Sequence, residues 1–293
     1  MSYIRITKNS LYDKFNWGRA LLQWDKYTSP FRPSCEDIKN YSLILNRLKT
    51  KNKILLLGST PEIRKILSKF DSSIIIADFS FKMISGMIFF NKSINETKEK
   101  WIKSDWMALD KFIKNNYFDV IVGDLFLRNI NPQLQLECLR KISRLLKKSG
   151  YLITRIHLLN EDITKLSSKK IIRNIFDKEL DIDNKLIEDL ITSRLFDKNT
   201  NFGTKEINKR KFTDNIGKYI KNNIRNKREK LVLNNIFKKW ITPKGFPERT
   251  WTQRTTKEID QLLSQYFVIR DLRMSFDYKD SEFYPIYVLK NKR

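Results

Sequence analysis

The sequence predicts an α/β chain built on an open, mostly parallel sheet, and three observations lead there. Ile54 to Leu57 and Ile74 to Ala77 are unbroken apolar runs, too short for helices and without polar alternation, as in strands covered on both faces. Between them Ile63, Ile66 and Leu67 recur at helical spacing. Further on, strand and helix signals keep alternating, in the order β, α, β, α, β, α, β, α, β as far as residue 158.

Residues 1–50 precede this alternation and are rich in aromatics. Trp17, Ala20, Leu21 and Trp24 fall on one face of a helix. Ser29-Pro-Phe-Arg-Pro-Ser34 breaks the chain, and Ser34-Cys-Glu-Asp37 has the form of a capping box with Asp in place of Glu, opening a helix through Leu48. The first strand ends at Gly58. Ser59 or Thr60 can cap the helix that follows, Pro61 needs no backbone donor in its first turn, and Glu62 faces the positive helix end.

The second strand closes on Asp78, twenty residues after Gly58. At that spacing an acidic side chain can accept hydrogen bonds from both hydroxyls of a ribose bound over the first turn. Capping the next helix is the plainer role open to it. Lys103-Ser-Asp105-Trp106 ends a third strand, and Tyr117 to Asp124 forms a fourth. Leu134 to Leu146 reads as an amphipathic helix, broken by Lys147-Lys-Ser-Gly150 before a fifth strand, Tyr151 to His157. Asp124, at the carboxyl edge of the sheet, could orient an acceptor amine or hydroxyl, or could anchor a loop. His157 is the only histidine and reaches the same edge, a candidate general base titrating near neutrality.

Residues 159–255 show helical periodicity at Ile163, Leu166, Ile171, Ile172 and Ile175, again at Leu186 to Ile191, and at Ile216 to Ile224, which predicts a helical cap. Within it the stretch 205–239 carries twelve basic and three acidic residues. It is either a solvated surface or a landing site for an anion or RNA. Trp240 to Pro247 is a Pro- and Gly-marked loop that could border a site. In 256–293, Thr255-Thr-Lys-Glu258 caps a helix through Leu263, and Tyr266 to Met274 and Phe283 to Lys290 read as paired strands.

The motifs Leu-Leu-Leu-Gly-Ser-Thr-Pro-Glu (55–62), Ala-Asp-Phe-Ser (77–80), Ser-Asp-Trp (104–106), Phe-Asp-Val-Ile-Val-Gly-Asp (118–124) and Leu-Lys-Lys-Ser-Gly-Tyr-Leu (146–152) stand in the order and spacing of one family. The chain resembles the class I S-adenosylmethionine-dependent methyltransferases over roughly 50–158, with a matching tail at 256–290. The resemblance implies a Rossmann-like sheet of seven strands, mostly parallel with an antiparallel terminal strand, and S-adenosyl-L-methionine as cofactor. It assigns the cofactor to Gly58, Ser59, Thr60, Asp78, Phe79, Ser80, Asp105, Trp106, Gly123 and Asp124. Asp105 would take the adenine amino group, and Trp106 or Met107 would flank the ring. By the same likeness residues 1–50 cover the cofactor, with Trp24, Tyr27 and Arg32 lining the cover. The family's first loop usually carries two or three glycines, whereas only Gly58 stands here.

The net charge of +25 invites a polyanionic partner, but Lys outnumbers Arg about two to one, and Arg is the residue suited to bidentate phosphate recognition. Cys35 and Cys138 have neither metal-ligand nor disulfide-scaffold spacing, so no metal and a reducing, cytoplasmic setting are expected. No signal-peptide or membrane-spanning run is present. The expected activity is in-line methyl transfer to a small-molecule acceptor, with Asp124 and His157 as candidate catalytic groups. An RNA acceptor held by the basic cap, or a non-catalytic binding module, are the alternatives. A nicotinamide dehydrogenase would need the Gly-x-Gly-x-x-Gly turn that is missing.

Overall fold

The computed structural model describes residues 21, 24–90, 98–178, 182–240 and 251–293. The helix suggested by Trp17, Ala20 and Leu21 and the loop after Trp240 lie outside these, apart from Leu21 itself.

Helix α1, Cys35–Arg47, begins at Ser34, whose hydroxyl accepts from Asp37 N while the Asp37 carboxylate accepts from Ser34 N, the reciprocal box expected from the sequence. Strand β1 (Lys53–Leu57), helix α2 (Pro61–Leu67), strand β2 (Ser73–Asp78), helix α3 (Phe81–Gly86) and strand β3 (Glu99–Lys103) follow. Next come β4 (Phe118–Asp124), α4 (Gln135–Leu145) and β5 (Leu146–Arg155). Here α4 passes directly into β5. The expected break at Lys147 to Gly150 is taken up as an irregularity, with Phe118 opposite Leu146 but Val120 opposite Tyr151.

Five helices, α5 (Glu161–Lys165), α6 (Ser168–Lys178), α7 (Asn184–Lys198), α8 (Lys209–Asn222) and α9 (Lys227–Trp240), precede the return to the sheet through α10 (Thr256–Leu263), β6 (Phe267–Arg273) and β7 (Ile286–Asn291). The seven strands lie in the order β3-β2-β1-β4-β5-β7-β6. β1 to β5 are parallel, and β7 runs antiparallel between β5 and β6. The strand order reverses between β1 and β4, the switch point at which open α/β sheets hold ligands.

The apolar runs serve both faces of this sheet. Leu55, Leu57, Ile75, Ala77 and Ile121 pack on one side with residues of α4 and α10. Ile54, Leu56, Ile74, Ile76, Val120 and Val122 pack on the other with α1 and α2. That is why neither run shows polar alternation. The cap has its own core, in which Ile171, Ile175, Ile187, Ile191, Leu195, Phe196, Ile216, Val232 and Ile236 meet, with Phe31, Trp240 and Trp251 packed against it. Asp189 of α7 ties the N-terminal segment to the cap by accepting from Thr28 N at 2.7 Å and Thr28 Oγ1 at 2.8 Å, while Lys239 of α9 pairs with its other oxygen at 2.6 Å. No described helix is long and apolar enough to cross a membrane.

Candidate functional site at the carboxyl edge of the sheet

Of the expected cofactor residues, Gly58, Ser59, Thr60, Asp78, Phe79 and Ser80 lie at the carboxyl ends of β1 and β2. Gly58 has φ +91°, a conformation that L side chains rarely adopt, and its amide extends the sheet by donating to Ala77 O at 2.8 Å. A Cβ built there would meet nothing nearer than Trp106 Cζ2 at 3.9 Å, so the glycine is required by its backbone angle rather than by crowding. Thr60 occupies the cap position of α2 but makes no side-chain cap bond. Ser59 does not cap either. Its hydroxyl donates to Asp78 Oδ2 at 2.6 Å, and Ser80 N donates to Asp78 Oδ1 at 2.9 Å. Both donors help to fix the Asp78 carboxylate, half-buried beside Phe79 at the crevice rim.

Asp105 is exposed and accepts from Met107 N at 2.9 Å, capping a 3₁₀ turn over Trp106–Lys111. The Trp106 indole donates to Ala77 O at 2.8 Å and meets Phe126 edge-on, with ring centroids 6.1 Å apart. The indole therefore spans the ends of β1 and β2 and forms a wall of the crevice.

The cover residues divide. Arg32 forms an ion pair with Glu62, Trp24 Nε1 donates to the same Glu62 oxygen at 3.4 Å, and the Arg32 guanidinium lies 5.9 Å from the Trp24 ring centre. Both residues thus sit over the first turn of α2. Tyr27 instead faces α9, against Trp240 and under Lys239 Nζ at 4.4 Å. Sequence reasoning saw Glu62 only as a helix-end charge. Its role as the shared partner of Trp24 and Arg32 depends on chain folding back from thirty residues upstream, for which no local signal exists.

At the end of β4 two expected site residues meet the protein's own side chains. A Cβ at Gly123 would stand 2.8 Å from Phe126 Cδ1, so the glycine admits the Phe126 ring. Asp124 is committed to Arg155, which donates from Nε to Oδ1 at 2.8 Å and from Nη2 to Oδ2 at 3.0 Å, with the Tyr41 hydroxyl also at Oδ1 at 3.2 Å. Arg155 Nη1 reaches Asp37 of the α1 capping box at 2.7 Å. Burial pushes the Asp124 carboxyl up from its ordinary value against the opposing pull of Arg155. A buried, doubly paired carboxylate is a structural anchor, not a free base. The signal available in the sequence was Arg155 itself, a cation that closes the uncharged run from Tyr151.

His157 is likewise buried. It stacks on Tyr284 with ring centroids 4.3 Å apart, and Gln253 Nε2 lies 2.9 Å from its Nδ1. Asp197 Oδ1 stands 3.2 Å from Nε2. Burial, reinforced by the Arg128 and Arg155 charges, holds the imidazole well below its ordinary value. Burial also raises the Asp197 carboxyl well above its own. Both favour their neutral forms, so His157 is a hydrogen-bonding element between sheet and cap rather than an open base.

For S-adenosylmethionine the residues at β1 and β2 fit on two counts. The half-buried Asp78 carboxylate stands at the end of β2, beside the positive-φ turn at Gly58. Glu62 Oε2, at the helix that follows the glycine turn, is buried without a hydrogen-bond partner among the described residues, an acceptor for an ammonium group. No group of three or more His, Cys, Asp or Glu that could hold a metal ion occurs among the described residues.

The sheet order and the antiparallel β7 define the class I methyltransferase fold, and solved structures agree. The PH0226 protein of Pyrococcus horikoshii OT3 matches at 14% identity over 94% of this chain and 99% of its own, with a TM-score of 0.54. The 1,6-didemethyltoxoflavin N1-methyltransferase of Burkholderia thailandensis, solved with 1,6-didemethyltoxoflavin and S-adenosylhomocysteine bound, matches at 12% identity over 95% of this chain and 90% of its own, with a TM-score of 0.50. A Rhodobacter sphaeroides protein assigned provisionally to the Zn-dependent alcohol dehydrogenases matches at 15% identity over 93% and 98%, with a TM-score of 0.52. Such identities establish the fold. No family profile and no curated protein sequence matches the chain.

Proposed function

We propose that the chain is an S-adenosylmethionine-dependent methyltransferase acting on a small-molecule acceptor. The observation that carries this reading is the Asp78 carboxylate, held by Ser59 Oγ and Ser80 N beside the positive-φ turn at Gly58, at the switch point of the sheet. In this reading Asp78 binds the ribose, Asp105 and Trp106 border the adenine, and Glu62 receives the ammonium end. The cofactor supplies an activated methyl group. The chain's own contribution is to align two bound reactants and exclude water, which supplies several kcal/mol by proximity. With Asp124 and His157 both enclosed, positioning is the larger part of catalysis and an acceptor that needs no strong base is favoured.

The small-molecule reading is supported by the cap, whose basic residues are in part neutralised by the chain's own carboxylates. Lys205 pairs with Glu258, Arg225 with Asp177 and Glu229, and Lys239 with Asp189. The test is calorimetry of the full chain with S-adenosylmethionine and with S-adenosylhomocysteine. Saturable binding of both is expected. No binding of either would leave the scaffold reading, which the bond between Ser59 and Asp78 favours because it already engages one ribose-facing oxygen.

A further inference from the structure

Arg128 lies four residues beyond the end of β4, in a 3₁₀ turn over Leu127–Asn129, and is 7% exposed. Three separate stretches of chain wall it in. Its guanidinium carbon is 4.9 Å from the Trp251 ring centre, 5.7 Å from Phe31 and 5.9 Å from Phe196. Its carbonyl is pinned by Thr252 N at 3.0 Å. Its Nε and Nη2 groups are buried and make no hydrogen bond among the described residues, and no carboxylate among those residues lies within ion-pair distance of it.

The same chain shows what that edge of a guanidinium does elsewhere. Arg64 grips Glu99 through Nε at 3.0 Å and Nη2 at 2.5 Å, Arg155 grips Asp124 at 2.8 and 3.0 Å, and Arg194 grips Asp280 at 2.7 and 2.9 Å. In each case Nε and Nη2 form the two parallel bonds that match a carboxylate. Arg128 presents this fork unfilled. The buried acids nearby do not fill it: Asp124 is gripped by Arg155, and Asp197, whose Oδ1 also lacks a hydrogen bond among the described residues, forms no ion pair with Arg128. A buried cation with unmet donors is costly to a fold, and aromatic faces offset only part of that cost.

We propose that the Nε and Nη2 fork of Arg128 binds a carboxylate of the methyl acceptor, so that the substrate is a small organic acid. This rests on the methyltransferase reading and names its substrate class. The position suits the role, because Arg128 follows β4 on the edge where acceptor and methyl group meet. It lines a cavity of about 10 Å³ together with Arg155, His157, Gln135 and Thr252, close to the room of one water molecule. An organic acid is larger than this space, so its binding requires the packing around Arg128 to open.

The experiment uses the full chain with acetate, benzoate and indole-3-acetate, each against its amide, and phenyl phosphate as a further arm, by thermal shift and calorimetry with and without S-adenosylhomocysteine. At least one acid is expected to raise Tm saturably where its amide does not. Arg128→Gln and Arg128→Lys are both expected to weaken that acid about tenfold or more, since Lys keeps the charge but lacks the fork. S-adenosylhomocysteine affinity should stay within about twofold of wild type, because none of the ribose or adenine residues changes. Acids binding no better than their amides, or equally well to Arg128→Gln, would overturn the proposal. Preference for phenyl phosphate would overturn the carboxylate assignment, and a variant that fails to fold would make Arg128 structural. Acid binding without S-adenosylhomocysteine binding by wild type would instead remove the methyltransferase reading and with it the acceptor role.

Discussion

The two halves of the carboxyl edge carry similar residues to opposite ends. At β1 and β2, Asp78 stands half-buried at the rim and accepts from the neutral donors Ser59 Oγ and Ser80 N. At β4 and β5, Asp124 is enclosed by α1 and locked to Arg155, and His157 is enclosed between Tyr284 and the cap. The difference teaches that the surroundings of a strand-end acid, not its place in the strand, set how far it is taken out of water. Where a helix or cap returns, desolvation forces the charge to find a partner inside the protein.

The largest effect expected from this contrast is on stability. Asp124→Ala strips Arg155 of its bidentate partner in a buried setting and should cost about 3–5 kcal/mol in urea unfolding. A loss below about 1 kcal/mol would mean that the edge at β4 is as open as that at β2. Asp78→Ala should invert the pattern. S-adenosylhomocysteine binding weakens by about 1–3 kcal/mol, the scale of charge-assisted hydrogen bonds, while the unfolding midpoint moves far less than for Asp124→Ala. Undiminished affinity would reduce Asp78 to a cap for Ser80 N.

His157 sharpens the comparison through pH. Its imidazole is held below its ordinary value of 6.5, so as pH falls past 6.5 the unfolded chain takes up a proton that the folded chain does not, and stability declines in that direction. His157→Gln is expected to flatten that decline between about pH 6.5 and 5 by up to ~1.4 kcal/mol per pH unit, read from unfolding at each pH. An unchanged slope would place the histidine in water. The smallest effect belongs to the cap's outer face, where Arg210 and Lys211 are exposed. Their joint replacement by Gln should change stability by less than about 0.5 kcal/mol. RNA binding by the intact chain should be weak and indifferent to sequence, fading as the Debye length falls to about 8 Å. Tight binding of one RNA at physiological salt would make the cap, not the crevice, the acceptor surface.

Much of this architecture could be read from the residues in order. The strand runs at Ile54 and Ile74, the boxes at Ser34 and Thr255 and the β7 and β6 segments are set by apolar period and by capping chemistry within four residues, both local properties. So was the pairing of Gly58 with Asp78, because a βαβ unit fixes their distance. The fates of Asp124, His157 and Arg128 were decided elsewhere. Asp37, 118 residues before Arg155, and Tyr284, 127 residues after His157, determine whether those side chains meet water or a partner. Burial and ion pairing depend on which distant segments return over a strand end, and that is settled by tertiary packing, because the free energy of a buried charge is a property of everything around it and not of its neighbours in sequence.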